Sequence, residues 1–190
     1  MPDRGRLFLV VGPSGAGKDS LLEAARDHFR NDVETVFPRR VITRPAEAGG
    51  EVHDPVDHDT FAEQLRDGAF ALHWVAHDLS YGVPATALDD LEAGRNVVVN
   101  VSRTVIDLAR TRFRHVTVLS ITADPVTLAA RLEGRQRASD GDLAARLSRA
   151  DLMLPSGPDV VSIDNSGLLE DAVMAFLDVL SGQRELLEQR

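Results

Sequence analysis

The sequence predicts an α/β fold, with a parallel sheet flanked by helices. Short β-branched runs alternate along the chain with amphipathic stretches of helical period, and the first run ends in a glycine-rich turn that opens directly into a helix. Two further segments break the alternation and predict an inserted lobe and an arginine-bearing lid.

The first element is the apolar run Leu7–Val11, long enough for one buried strand. It feeds Gly12-Pro13-Ser14-Gly15-Ala16-Gly17-Lys18-Asp19-Ser20. Glycines at 12, 15 and 17 let the backbone turn its N–H groups inward, and the following helix aims its positive dipole end at the same spot. Lys18 then reaches the outer phosphates of a nucleotide. A strand before the turn and a helix after it are the context this phosphate-binding loop requires, so the chain is expected to bind a nucleoside triphosphate.

One position departs from the usual loop. Ser or Thr commonly follows the lysine and ligates Mg²⁺; here Asp19 does, with Ser20 next. A carboxylate is a strong ligand for a hard cation, so Asp19 is a candidate direct or water-mediated Mg²⁺ ligand and Ser20 the alternative. The plainer reading of Asp19 is a favourable acid in the first helical turn.

Residues 18–30 place Leu21, Leu22, Ala25 and Phe29 on one helical face. Further helices are expected over 84–93, 103–113, 124–134 and 168–180. Val97-Val98-Val99, Val116–Ile121 and Asp159–Ile163 read as buried strands. Ligands of such a sheet sit beyond the carboxyl ends of its strands.

The lobe is expected over 38–83: a loop rich in Pro, Gly and acid from Pro45 to Pro55, a helix around Asp57–Gly68, and a mixed stretch ending Tyr81-Gly82. The stretch 134–142 is polar and contains glycine, as suits a mobile lid. The organisation read from this is one domain. Its core comprises 1–37, 84–133 and 154–190, with the lobe at 38–83 and the lid region at 134–153.

Composition narrows the function. The 190 residues carry a net charge of −9 and an isoelectric point near 5.1, which argues against an extended nucleic-acid surface. No cysteine is present, so there is neither a disulfide framework nor a thiolate metal site. No apolar stretch approaches membrane-spanning length and Met1–Arg6 does not resemble a signal peptide, so the cytoplasm is the expected location. Oligomeric state is not readable. Nearly all basic residues are arginines, clustered at Arg39, Arg40 and Arg44, at Arg103, and at Arg131, Arg135, Arg137, Arg146 and Arg149. Arginine suits bidentate phosphate recognition, although any one of them is more simply a solvated surface charge.

Other residues read more plainly. His53, His58 and His77 are irregularly spaced in a polar lobe and are expected to be surface residues rather than metal ligands. Trp74 is expected in the core of the lobe. Tyr81 either contacts a substrate phosphate or packs the lobe. Asn165 either touches adenine or forms a turn before Ser166-Gly167.

The loop, the Thr43-Arg44 pair in the lobe, Tyr81-Gly82 and the lid arginines together resemble the guanylate kinase family. The departures matter. Glu47 stands where that family has a second arginine, His73 stands where a glutamate reads the base, and 52–59 is shortened and lacks the family's tyrosine. The chain is more similar to the ribose 1,5-bisphosphate phosphokinases of phosphonate degradation. That similarity rests on Gly17-Lys18-Asp19-Ser20, Arg40-Val41-Ile42-Thr43-Arg44, Ala71-Leu72-His73-Trp74 with Tyr81-Gly82, and Val99-Asn100-Val101-Ser102-Arg103, with the lid arginines and Asn165. It spans roughly residues 6–180.

This resemblance implies a P-loop NTPase fold and transfer of the ATP γ-phosphoryl group to the 1-phosphate of ribose 1,5-bisphosphate, with Mg²⁺. It implies catalytic roles for Lys18, Arg131, Arg135, Arg137 and Arg146. Nucleotide contacts fall to Gly12, Pro13, Ser14, Gly15, Ala16, Gly17, Lys18, Asp19, Ser20 and Asn165, and acceptor contacts to Arg40, Arg44, Tyr81, Ser102 and Arg103. A phosphate nucleophile is already ionised near neutral pH, its second pKa being about 6, so no general base is needed. Asn100 stands where many such enzymes place a metal-binding aspartate, and Asp19 is a candidate compensation. The alternative activity is guanylate phosphorylation. A non-catalytic interaction module of the same fold is disfavoured, because the loop lysine and lid arginines are all present.

Overall fold

The computed structural model describes residues 4–46, 51–133 and 154–188. Along the chain the elements are β1 (Leu7–Val11), α1 (Lys18–His28), β2 (Thr35–Val36), β3 (Val41–Ile42), β4 (Asp54–Pro55), α2 (His58–Arg66), β5 (Phe70–Ala76) and β6 (Leu79–Pro84). There follow α3 (Thr86–Glu92), β7 (Asn96–Asn100), a 3-10 turn (Arg103–Val105), α4 (Ile106–Arg112), β8 (Val116–Thr122), α5 (Pro125–Glu133), β9 (Val160–Asp164) and α6 (Leu169–Glu188). Five strands form a sheet in the order β2-β7-β1-β8-β9, and four form a second sheet in the order β4-β3-β6-β5. The first is the helix-flanked sheet of a P-loop NTPase. By backbone contacts the chain divides into two compact units, Met1–Leu9 with Asn31–Thr117, and Val10–Arg30 with Val118–Arg190.

In the first unit, β7 is buried along its whole length, as expected of a strand covered on both faces. It pairs in parallel with β2, Thr35 opposite Asn96. The second sheet belongs wholly to this unit. Its longest strands form the hairpin of β5 and β6, turned by His77 and Asp78, both with positive φ (52° and 60°). That is the backbone of a tight two-residue hairpin turn, for which asparagine and glycine are the common signals. Neither is present, which is why the sequence reads only as a mixed stretch there. A register shift at Phe70/Leu72 interrupts the ladder, and Arg112 of α4 donates to the Ala71 carbonyl at 2.9 Å.

The helix α2 begins where the Asp57 side chain accepts the Thr60 amide at 2.7 Å. Its buried Phe61 stacks on Phe70 of β5 at 4.7 Å between ring centres. Gly82 of β6 lies against the same Phe70: a Cβ there would stand 2.4 Å from the ring. The Tyr81-Gly82 pair thus has a packing reason for its glycine.

In the second unit, β8 and β9 pair in parallel from Val118 opposite Val160 to Thr122 opposite Asp164. The buried face of α1 (Leu21, Leu22, Ala25) is the one its period predicts, and α1 packs against α6. Pro125 opens α5, and Asp124 before it accepts the amides of Val126 and Thr127, both at 2.9 Å. The two-residue strands β2, β3 and β4 carry too little pattern to be read from sequence. The helix expected at 103–113 is a 3-10 turn followed by α4, and the last helix runs on to Glu188.

Candidate active site

The phosphate-binding loop lies in the second unit, between β1 and α1. Gly12, Gly15 and Gly17 have φ of 150°, 88° and 90°. At Gly12 a side chain is excluded twice over, because a Cβ would also come within 2.3 Å of the Ile121 carbonyl oxygen. Gly17 is the N-cap of α1 in left-handed conformation, and no side chain caps this helix. Its first-turn amides are therefore not taken up by a capping side chain, the arrangement that receives phosphate oxygens. Lys18 donates its Nζ to the carbonyl oxygens of Gly12 and Pro13 at 3.0 and 2.9 Å, so the lysine spans the loop it serves. Asp19 and Ser20 are partly exposed in the first turn of α1, and their oxygens are the hard donors Mg²⁺ accepts. Among the described residues no group of three His, Cys, Asp or Glu stands ready as a metal cage.

Asn165 follows β9 and is 1% exposed. Its main-chain N–H donates to the Thr122 carbonyl, and its side-chain Nδ2 donates to the Ala16 carbonyl, each at 2.8 Å. Its Oδ1 and the Nη1 of Arg131, in the last turn of α5, are buried and unpartnered among the described residues. Both side chains border Gly17: a Cβ there would lie 2.2 Å from Asn165 Nδ2 and 3.9 Å from Arg131 Nη1. A buried guanidinium N–H with no acceptor, beside a helix N-terminus, suits an anion. The structure thus brings together Gly12 to Ser20, Arg131 and Asn165. Arg135, Arg137 and Arg146 lie outside the described residues.

The residues expected to contact the acceptor lie in the first unit. Arg40 is 8% exposed. Its Nη2 donates to Oε2 of Glu51 at 2.9 Å, and its guanidinium lies 5.9 Å from the ring centre of Trp74 and 5.4 Å from that of Tyr81. Those two rings stack in parallel, 5.2 Å apart, so Tyr81 is both packed and beside a cation, and Trp74 is the buried lobe residue its position suggests. Asn100, at the end of β7, donates Nδ2 to the same Glu51 oxygen at 3.1 Å.

Arg44 Nη2 approaches Nδ1 of His53 at 3.3 Å, and the His53 ring also contacts the carbonyls of Arg44 (2.9 Å) and Glu51 (3.0 Å). His53 is buried, which corrects its reading as a surface residue: its two ring nitrogens bridge backbone groups nine and two positions away. Ser102 accepts the Thr104 amide at 3.3 Å and so opens the 3-10 turn that begins at Arg103. His73, in the base-reading position, is exposed on β5. Glu51 escaped the sequence reading. A single acid in a glycine-rich loop gives no local sign that it will be buried.

The chain is 50% identical over 186 residues to the ribose 1,5-bisphosphate phosphokinase PhnN of Acidiphilium cryptum, covering 98% of each chain. It is 47% identical over 184 residues to the protein of the same name from Rhodopseudomonas palustris, covering 97% of this chain and 87% of that one. A bifunctional ribose 1,5-bisphosphokinase-thymidine phosphorylase of Azorhizobium caulinodans is 42% identical over 94% of this chain, which spans 26% of that longer protein. Among solved structures, guanylate kinase from Anaplasma phagocytophilum superposes with a TM-score of 0.63 at 22% identity, covering 98% of this chain and 95% of that one. That likeness concerns the fold alone. No protein-family model matches the chain. With half of its residues shared along essentially its full length, the chain belongs to the ribose 1,5-bisphosphate phosphokinase family.

Proposed function

We propose that this protein transfers the γ-phosphoryl group of ATP to the 1-phosphate of ribose 1,5-bisphosphate, giving 5-phosphoribosyl 1-diphosphate and ADP in phosphonate catabolism. The full-length identity to ribose 1,5-bisphosphate phosphokinases carries this reading. In the reaction an oxygen of the 1-phosphate forms the new P–O bond. The bond from the γ-phosphorus to the bridging β-phosphate oxygen breaks, and ADP leaves with that electron pair. Because the nucleophile is already ionised near neutral pH, catalysis consists of positioning and charge stabilisation.

The glycine loop and the first turn of α1 receive the ATP phosphates, with Lys18 and Arg131 placed beside them to balance the charge that develops. Arg135, Arg137 and Arg146 of the lid region add to that charge. Asp19 or Ser20 contributes a ligand to Mg²⁺, which when bound neutralises phosphate oxygens. Asn165 serves the nucleotide through the loop it holds. On the acceptor side, Arg44, Arg103, Ser102 and Tyr81 address a doubly phosphorylated sugar, with Arg40 fixed behind them by Glu51. The whole forms one kinase domain: core 1–37, 84–133 and 154–190, acceptor lobe 38–83, lid region 134–153. The acidic chain has no nucleic-acid role, and its place is the cytoplasm. Among the described residues no helix is long and apolar enough to cross a membrane.

Guanylate is the competing acceptor, because a guanylate kinase shares the fold. The exposed His73 is no substitute for a carboxylate that pairs with the guanine N–H groups. Glu51 is already committed to Arg40 and Asn100. The test incubates the protein with ATP, Mg²⁺ and either ribose 1,5-bisphosphate or GMP, following products by phosphorus NMR. The expected result is a diphosphate signal from the sugar and none from GMP. Efficient GMP phosphorylation without turnover of the sugar bisphosphate would overturn the assignment.

A further inference from the structure

The side chain of Glu51 is only 5% exposed. Burying a carboxylate this far from water is costly unless hydrogen-bond donors replace that water. Its Oε2 takes two, from residues 11 and 49 positions away: Nη2 of Arg40 and Nδ2 of Asn100. The bond to Asn100 has a consequence for that amide. Only its NH₂ can donate to a carboxylate, so the contact decides which end of the amide faces Glu51. The opposite end, Oδ1, makes no hydrogen bond among the described residues. Asn100 closes a strand buried at every position, so the backbone beneath this oxygen is rigid. Arg40 is held just as firmly, with the carboxylate on one side and the Trp74–Tyr81 stack within reach of its guanidinium.

An amide oxygen is a neutral acceptor. It has nothing to offer an ionised phosphate, which is itself an acceptor, and it pairs with a hydroxyl. Ribose 1,5-bisphosphate carries two free hydroxyls, on C2 and C3, besides its phosphates. We propose that Glu51 is a positioning residue that holds Asn100 with Oδ1 presented to a hydroxyl of the acceptor sugar. Selection for the ribose diol then rests on a carboxylate that never touches it. This inference rests on the proposed kinase activity and names a specificity device within it.

The experiment compares ribose 1,5-bisphosphate with its 2-deoxy and 3-deoxy analogues by kcat/KM. The panel is wild type, Asn100→Ala, Glu51→Gln, Glu51→Ala and the charge-free double variant Arg40→Met/Glu51→Leu, with KM for ATP and thermal stability measured alongside. Wild type is expected to disfavour one deoxy analogue on the order of 10- to 100-fold, the effect of one lost hydrogen bond in a buried setting. Asn100→Ala should abolish that preference. Glu51→Ala and the double variant should lose most of it although Asn100 remains, while KM for ATP stays within about threefold of wild type. Glu51→Gln should keep it, because its amide oxygen can still accept both donors. A purely structural role would lower stability without changing the preference between sugars.

The double variant removes both members of the buried pair and so avoids stranding a lone charge. Should it still fail to fold, Asn100→Ala decides: full discrimination retained there overturns the proposal. Equal use of ribose and both deoxy sugars by an active wild type also overturns it, whereas no turnover of ribose 1,5-bisphosphate at all rejects the kinase assignment itself.

Discussion

Asn165 donates its side-chain Nδ2 to the carbonyl oxygen of Ala16 at 2.8 Å, tying the segment after β9 to the phosphate-binding loop across 149 positions of sequence. Asn165→Ala should therefore weaken nucleotide binding by loosening the loop, at a cost of about 1–3 kcal/mol for a buried bond left half-made. Since the damage is to the loop, ATP and GTP should lose affinity to the same extent. Calorimetric titration with both nucleotides checks this; a loss confined to ATP would instead make Asn165 a reader of adenine.

Lys18→Ala should abolish phosphoryl transfer with little change in unfolding temperature, a loss on the order of several kcal/mol of transition-state stabilisation. The lysine donates to the carbonyls of Gly12 and Pro13 within its own loop, so its removal is expected to disturb the loop more than the sheet. Single-turnover kinetics measure the effect, and activity within tenfold of wild type would reject the phosphate-loop assignment. In the same assay Asp19→Ala should raise the Mg²⁺ requirement more than Ser20→Ala does. The reverse order would make the hydroxyl the ligand.

Gly82→Ala should destabilise the protein by about 1–3 kcal/mol, because the new methyl overlaps the Phe70 ring in a packed hairpin. Adding Phe70→Leu should recover part of that loss by making room, at the expense of the stack on Phe61. Urea denaturation of the two variants tests the pair. Additive losses would show that the ring and the glycine do not constrain each other.

The Asp124 carboxyl is held below its ordinary value of 3.8, chiefly by the Thr127 hydroxyl, which donates to it at 2.7 Å, and then by the Thr127 amide. A group whose pKa is lower in the folded state stabilises the fold above its unfolded pKa, and that contribution fades as pH falls through the folded value. The gap in unfolding temperature between wild type and Asp124→Ala should therefore be constant above about pH 5 and narrow below pH 3.8. Thermal scans from above about pH 5 to well below pH 3.8 provide the measurement. A gap that widens on acidification would contradict the cap.

The core was legible because its signals are local. The strand Leu7–Val11, the three glycines and Lys18 state the loop within a dozen residues, and the buried face of α1 follows from its period. The lobe sheet was not legible: two of its strands, β3 and β4, are too short to show alternation, and His77-Asp78 turns a hairpin without the usual residues. Glu51 and His53 escaped for a different reason. What surrounds them is contact with Arg44, Arg40 and Asn100, at separations of 9, 11 and 49 positions, and no short window of sequence contains the set. Asn165 stood between two readings until its bond to Ala16 gave it a third, as a brace.

The crowding at Gly17 reaches beyond this one protein. The amide of Asn165 fills the place a side chain at 17 would need, and the backbone there adopts a φ of 90° that favours glycine. Neither position can therefore drift freely. Any lineage that acquires a larger residue at 165 presses on the loop, and one that shortens 165 opens space that the left-handed backbone at 17 still discourages any other residue from filling. The geometry therefore constrains 17 more tightly than 165: at 17 both the backbone and the neighbouring amide oppose a side chain, at 165 only the space beside the loop does.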